Sequence, residues 1–373
     1  MHCDHFDAGR CRSCSWLSRP YEEQLAALQA RCADLLGDRP GLQWSQPYPS
    51  AEAGFRNKAK MVVTGTVDAP SLGILGEGAR GVDLRDCGLH TAAVREALPV
   101  LAEFITRAAV VPYDVATRTG ELKFVLVTGS PDAELMVRFV TRSQEPVTRL
   151  RKHLPWLREA LPELVVVSVN LQPEHKAVLE GEREILLTEQ EALPMRVNEH
   201  QLFLRPQSFF QTNTDVAAAL YREARSWMAE VSPGSVWDLY SGVGGFALHA
   251  AAPGRQVLGV ETSPEAVASA RLSAAHAGLA AEFLVADATT FALGSVSVPD
   301  LVVVNPPRRG IGTALAGWLD RSGVGSVLYS SCNPESLARD LEAMPAFGVS
   351  RARVFDMFPH TSHAEVLVLL DRG

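Results

Sequence analysis

The chain has 373 residues, 47% apolar and 21% charged, which is enough to bury more than one core. Its formal net charge of −8 and sequence pI near 5.7 argue against indiscriminate nucleic-acid binding, which rests on neutralising phosphates. No apolar run approaches the ~18 residues of a membrane-spanning helix, and MHCDHFDAGRCRSC lacks the apolar stretch of a secretory signal. The expected compartment is therefore the cytoplasm, where thiols stay reduced.

Taken in chain order, cysteines come first. Cys3, Cys11 and Cys14 are spaced C-x7-C-x2-C, and Cys87 follows in LRDCGL. The spacing serves a structural zinc and an iron–sulfur cluster equally, since both take four thiolates. Tyr21 to Leu36 reads as a helix whose apolar stripe is Leu25, Leu28, Cys32, Leu35 and Leu36, which assigns Cys32 to a core. Arg56, Lys58 and Lys60 recur at period two, so on a strand they share one face, either as a local basic patch for RNA or as a solvated sheet face. Strand-like segments follow at 59–67, 124–128, 135–141, 164–171 and 184–187, with one helical stretch at 91–109. Few strands alternate with helices, which favours an N-terminal α+β domain over residues 1–205 built on an antiparallel sheet.

The pattern changes near Arg205. A helical segment at 215–229 opens a series in which strands at 236–240, 256–261, 282–286, 301–305, 326–329, 352–356 and 365–370 mostly alternate with helices. Residues 206–373 are expected to form a doubly wound, Rossmann-like α/β domain. Its first strand runs into VWDLYSGVGGF, where Gly242, Gly244 and Gly245 let the backbone approach a ligand closely. Glu261 ends the next strand, placed to accept hydrogen bonds from ribose hydroxyls, and Asp287 ends the third, within reach of an adenine or acting as a helix cap. A dinucleotide oxidoreductase shares such a turn, and Ala247 in the third-glycine position does not separate the two readings.

The residues further on do. The fourth strand ends in Asn305 and two prolines, a stiff loop followed by Arg308, where enzymes methylating amino nitrogens carry an aromatic. The fifth ends in YSSCNP, placing Cys332 at the same edge, and DMFPHTSHAE puts Glu365 just before the last strand. A thiol and a carboxylate suit methylation at carbon 5 of uracil. A thiolate adds to carbon 6, carbon 5 becomes nucleophilic, and a base then removes the carbon-5 proton so that the thiolate leaves. Cys332 is the expected nucleophile and Glu365 the expected base, with His360 and His363 as competing bases or, with Glu365, metal ligands. Arg308 is placed to activate the thiol.

The motifs FRNK (55–58), FFQTN (209–213), DLYSGVGGF, NPPRRG, SSCN and DMFPHTSHAE, spread along the whole chain, resemble the RNA uracil-5 methyltransferase family. The resemblance implies that Gln211, Tyr240, Glu261 and Asn305 contact S-adenosylmethionine, that Cys332 is the nucleophile and that Glu365 is the base. Asn305, where many members have Asp, together with a chain that begins at the cysteines without a small β-barrel, is similar to the subfamily acting on a 23S ribosomal RNA hairpin. That subfamily implies a four-iron [4Fe-4S] cluster on Cys3, Cys11, Cys14 and Cys87, with a structural role. The expected partner is 23S rRNA, before or during ribosome assembly, and the chain is expected to be a monomer with no DNA or membrane partner. The rivals are another uridine of 23S rRNA or tRNA, and a non-catalytic RNA-binding or assembly protein, which would need neither Cys332 nor Glu365.

Overall fold

The computed structural model describes residues 1–175 and 178–373, which fall into two compact units. The first comprises residues 1–14 and 52–195, the second 15–51 and 196–373. A single cut near residue 205 does not describe this division. Helix Tyr21–Leu36 forms as expected, but Leu28, Cys32 and Leu36 pack into the second unit's core with Val327, Tyr329 and Val368. Strand Gln43–Trp44 pairs in parallel with Phe347–Phe355 of the same unit. Neither association is visible in local periodicity, because both are made with residues some 300 positions away.

In the first unit the strand Lys58–Gly65 alternates as its sequence does, burying Ala59, Met61 and Val63 on one face. It belongs to a seven-stranded sheet in the order Gly81–Asp83, Pro70–Leu75, Lys58–Gly65, Leu122–Gly129, Leu135–Thr141, Leu164–Leu171, Arg183–Leu186. All pairs are antiparallel except Leu135–Thr141 with Leu164–Leu171. That parallel pair needs a crossover, and the helix Val147–Ala160 supplies it. This helix and Ala92–Arg107 bury Leu98, Leu101, Ile105, Leu150 and Leu157 against the sheet.

The second unit holds an eight-stranded sheet in the order Gln43–Trp44, Phe347–Phe355, Glu365–Arg372, Ser326–Ser331, Leu301–Val304, Ser235–Leu239, Gln256–Glu261, Glu282–Val285. The five strands from Ser326–Ser331 to Glu282–Val285 are parallel, while Glu365–Arg372 runs antiparallel to both neighbours. Successive strands spread one way and then the other from Ser235–Leu239. The reversal therefore lies between that strand and Leu301–Val304, where open α/β sheets form their ligand crevice. The antiparallel last strand brings its first residue, Glu365, to the edge where the parallel strands end. Ser331 pairs with Val366 there. Among the described residues no helix is long and apolar enough to cross a membrane.

Candidate active site

The glycine turn is built on left-handed backbone. Tyr240, Gly242 and Gly244 have φ of 69°, 53° and 87°. A Cβ on Gly245 would stand 2.4 Å from the Tyr221 ring, so the fourth residue of the turn must also be glycine. Behind the turn, buried Asp238 accepts the Ala247 N–H at 2.9 Å through Oδ2, and burial pushes its pKa up to about 7. Glu261 holds the turn from the neighbouring strand. Its Oε2 accepts the Gly242 N–H at 3.1 Å, and its Oε1 accepts the Ser263 N–H at 2.9 Å and the Thr262 hydroxyl at 3.0 Å.

Asp287 is the N-cap of helix Ala288–Gly294. Its Oδ1 accepts the Thr290 N–H at 2.8 Å and hydroxyl at 2.9 Å, and these bonds hold its pKa below the usual carboxylate range. That is the cap role the sequence allowed. Half-buried Tyr240 hydrogen-bonds Thr289 of the same helix, and Gln211 is buried just before the Asn213 cap of helix Thr214–Val231.

Asn305, Cys332 and Glu365 lie at the same sheet edge. Asn333 ties two of the loops together: its Nδ2 donates to the Arg308 carbonyl at 3.0 Å while its Oδ1 accepts the Glu335 N–H. Buried Asp340 fixes the far end of the NPPRRG loop, its Oδ2 accepting the Ile311 N–H and the Tyr329 hydroxyl, both at 2.8 Å. Burial raises the Cys332 thiol pKa, and the nearby Glu365 carboxylate adds to the shift. The charge of Arg308 and its hydrogen bond to the sulfur work in the opposite direction. Glu365 is 1% exposed; burial pushes its pKa up to about 7, and the Ser330 hydroxyl, donating to Oε1, opposes that rise.

The two histidines sit differently. His360 is buried and bound to Gln24, whose Oε1 accepts its backbone N–H at 3.0 Å and whose amide meets its Nδ1 at 3.4 Å. His363 is exposed, with burial and the charges of Arg308 and Arg31 holding its pKa below the ordinary histidine value. Among the described residues, the metal-ligating side chains that come within 4.8 Å of one another in groups of three or more are Glu199, His200, His249 and His2, Asp4, Asp7. The set of His360, His363 and Glu365 is not one of these groups.

The first unit gathers the four cysteines. Cys14 is buried, and its pKa is pushed up to about 12 by burial and by the charges of Cys87, Cys11 and Cys3. Cys87 is raised by burial and by Cys3 and Cys11. Cys3 starts a tight turn, its carbonyl accepting the N–H groups of Phe6 and Asp7 at 3.0 Å. Arg56 bridges to His90 ahead of the strand and is drawn toward Cys87 and Cys14. Lys58 is pushed down to about 8, first by burial and then by Lys60, while Lys60 is exposed.

Sequence reasoning did not single out Ser330, Asn333, Asp340 or Asp238. Ser330 and Asn333 flank Cys332 in a quoted motif, which was the available signal. The role of Asp340 depends on contacts with Ile311, 29 residues earlier, and has no local signature.

Comparison with known proteins agrees with this geometry. The family described as tRNA (Uracil-5-)-methyltransferase matches residues 288–373, and the methyltransferase small domain matches residues 200–316. The chain is 50% identical to the 23S rRNA (uracil(747)-C(5))-methyltransferase RlmC of Serratia proteamaculans, covering 100% of both chains. It is also 50% identical to the Escherichia coli protein of the same name, covering 99% of each. Among solved structures, the tRNA (uracil-54, C5)-methyltransferase of Pyrococcus abyssi, in complex with S-adenosyl-L-homocysteine, superposes with a TM-score of 0.79 at 28% identity over 96% of this chain and 85% of that one. Identity at this level along the full length, on a class I methyltransferase sheet with a thiol and a buried carboxylate at its edge, makes the chain a member of the RNA uracil-5 methyltransferase family.

Proposed function

We propose that this protein methylates carbon 5 of the uracil of 23S rRNA equivalent to position 747, with S-adenosylmethionine as methyl donor. The observation that carries the reading is the placement of Cys332, Arg308, Glu365 and Ser330 at one edge of the sheet, beside the turn held by Glu261. Identity of 50% with the ribosomal enzymes against 28% with the tRNA enzyme favours ribosomal RNA over tRNA. The resemblance of the motifs extends the proposal to a hairpin substrate, a monomeric enzyme and a cytoplasmic setting.

In the reaction the Cys332 thiolate adds to carbon 6, forming an S–C6 bond and pushing electron density to carbon 5. The donor supplies an electrophilic sulfonium methyl, which carbon 5 accepts as the sulfonium becomes a neutral thioether. Glu365 takes the carbon-5 proton, the S–C6 bond breaks, and the thiolate is restored. Arg308 stabilises the thiolate against burial, and a Glu365 pKa of about 7 leaves a working fraction of carboxylate at neutral pH. Gln211, Tyr240, Gly242, Glu261, Asp287 and Asn305 are proposed to hold the donor. The exposed Asp287 has its Oδ1 engaged in the helix cap, which leaves Oδ2 for an adenine.

Cys3, Cys11, Cys14 and Cys87 are proposed to hold a [4Fe-4S] cluster. Burial and mutual repulsion hold Cys14 and Cys87 above the ordinary thiol range, and a bound cationic centre relieves that penalty. The choice of a cluster over a single zinc rests on the resemblance of the motifs to the 23S rRNA subfamily. Its contribution is a crosslink between residues 1–14 and the Cys87 loop.

A 23S rRNA hairpin carrying 5-fluorouridine tests the chemistry, because fluorine at carbon 5 blocks the final elimination. Wild type forms a denaturation-resistant adduct and Cys332→Ala forms none; equal trapping by the variant rejects the nucleophile. With unmodified RNA, Glu365→Gln accumulates methylated adduct, and unimpaired turnover moves the base role to His363.

A further inference from the structure

His249 lies in helix Gly245–Ala250, which follows the glycine turn, and it is 1% exposed. Its Nδ1 stands 2.7 Å from the Gly245 carbonyl, which only accepts, so Nδ1 carries the proton and Nε2 keeps the lone pair. The His200 ring meets that of His249 edge-on, with centroids 4.7 Å apart. Glu199, one residue earlier, places Oε1 3.7 Å from His200 Nε2. One ligand atom from each residue lies within 4.8 Å of the other two. We propose that Glu199, His200 and His249 form a binding site for a divalent transition-metal ion of the zinc type, separate from the methylation chemistry.

Two imidazoles and a carboxylate are a donor set that zinc accepts at about 2.0–2.2 Å, with water completing the coordination. Small movements of the two outer side chains close the distance. Burial holds both imidazoles below the ordinary histidine range, His249 at about 4, so no proton has to leave at neutral pH. Glu199 is ionised: burial opposes this, but hydrogen bonds and the charge of Arg225 outweigh it.

Two groups occupy the donors at present. Arg225 pairs with Glu199, but the two side chains are 44% and 48% exposed, and such pairs contribute little. The Asn198 amide meets His249 Nε2 at 2.9 Å and also donates to the Ala218 carbonyl at 3.0 Å, a bond it keeps when the metal takes its place. The Gly245 carbonyl then orients the ligand His249 from behind, so the metal braces the residue against which Tyr221 packs.

The test is titration of the full chain with Zn²⁺ by calorimetry, alongside His200→Ala and Glu199→Gln. Glu199 is exposed and His200 keeps a 12% exposed side chain, whereas His249 is too buried to change safely. Wild type binds one equivalent more than His200→Ala, Glu199→Gln weakens that equivalent about tenfold or more, and zinc raises the melting temperature of wild type more than that of either variant. Co²⁺ separates this site from the cysteines: the absorption lost in His200→Ala consists of weak d–d bands without thiolate charge transfer. Equal zinc binding by all three proteins, or loss of a thiolate-type band, overturns the proposal.

Discussion

Glu365 meets two opposing influences, burial that favours its neutral form and the Ser330 hydroxyl that favours the carboxylate. Removing the hydroxyl leaves burial unopposed, so Ser330→Ala raises the Glu365 pKa above about 7. With Glu365 as the proposed base, the carboxylate is the active form, and activity rises with pH through that pKa. The variant's loss is greatest below pH 7 and recovers at higher pH, with the acid limb of the pH–rate profile displaced upward. A uniform loss at every pH would mean that Ser330 only supports the fold. The placement of Cys332 and Glu365 at one sheet edge was legible in the sequence because their motifs put both at strand ends. Ser330 was not, because its role exists only once Glu365, 35 residues later, is paired beside it.

Among the elements, the far end of the NPPRRG loop is fixed by the Asp340 carboxylate. Gly310 has φ 84°, and a Cβ there would stand 2.2 Å from Asp340 Oδ2, the atom that accepts from Ile311 and Tyr329. Gly310→Ala combines a left-handed strain of about 1–2 kcal/mol with displacement of that acceptor. The expected result is a lower melting temperature together with slower adduct formation, since the same loop carries Asn305 and Arg308. The legible elements were those with strong local pattern: the apolar parallel strands of the second unit, of which Gln256–Glu261 was read end for end, and helix Tyr21–Leu36. Helix Val147–Ala160 escaped because its surface is crowded with Arg, Lys and His and Pro155 sits inside it. Strand Pro70–Leu75 escaped because it opens on proline and contains Gly73, kept small by the Val82 carbonyl beside it.

At the scale of the whole molecule, the two units have separate hydrophobic cores. Leu28 is 1% exposed in the second, so Leu28→Ala removes about 2–5 kcal/mol from that core. Scanning calorimetry should show one transition lowered, with the content of the proposed cluster unchanged. With the proposed cluster on the four cysteines, Cys87→Ser has the reverse signature: it loses iron and visible absorbance, while the core of the second unit keeps its melting temperature. The interleaved path also bears on how the protein is made. Residues 15–51 leave the ribosome well before strand Phe347–Phe355, the pairing partner of Gln43–Trp44, which emerges some 300 residues later. At roughly 5–20 residues per second, the stripe of Leu28, Cys32 and Leu36 waits on the order of 15–60 s for its partners. During that time it is a hydrophobic helix without a home, and a nascent chain stalled before residue 347 should be held by chaperones through this segment.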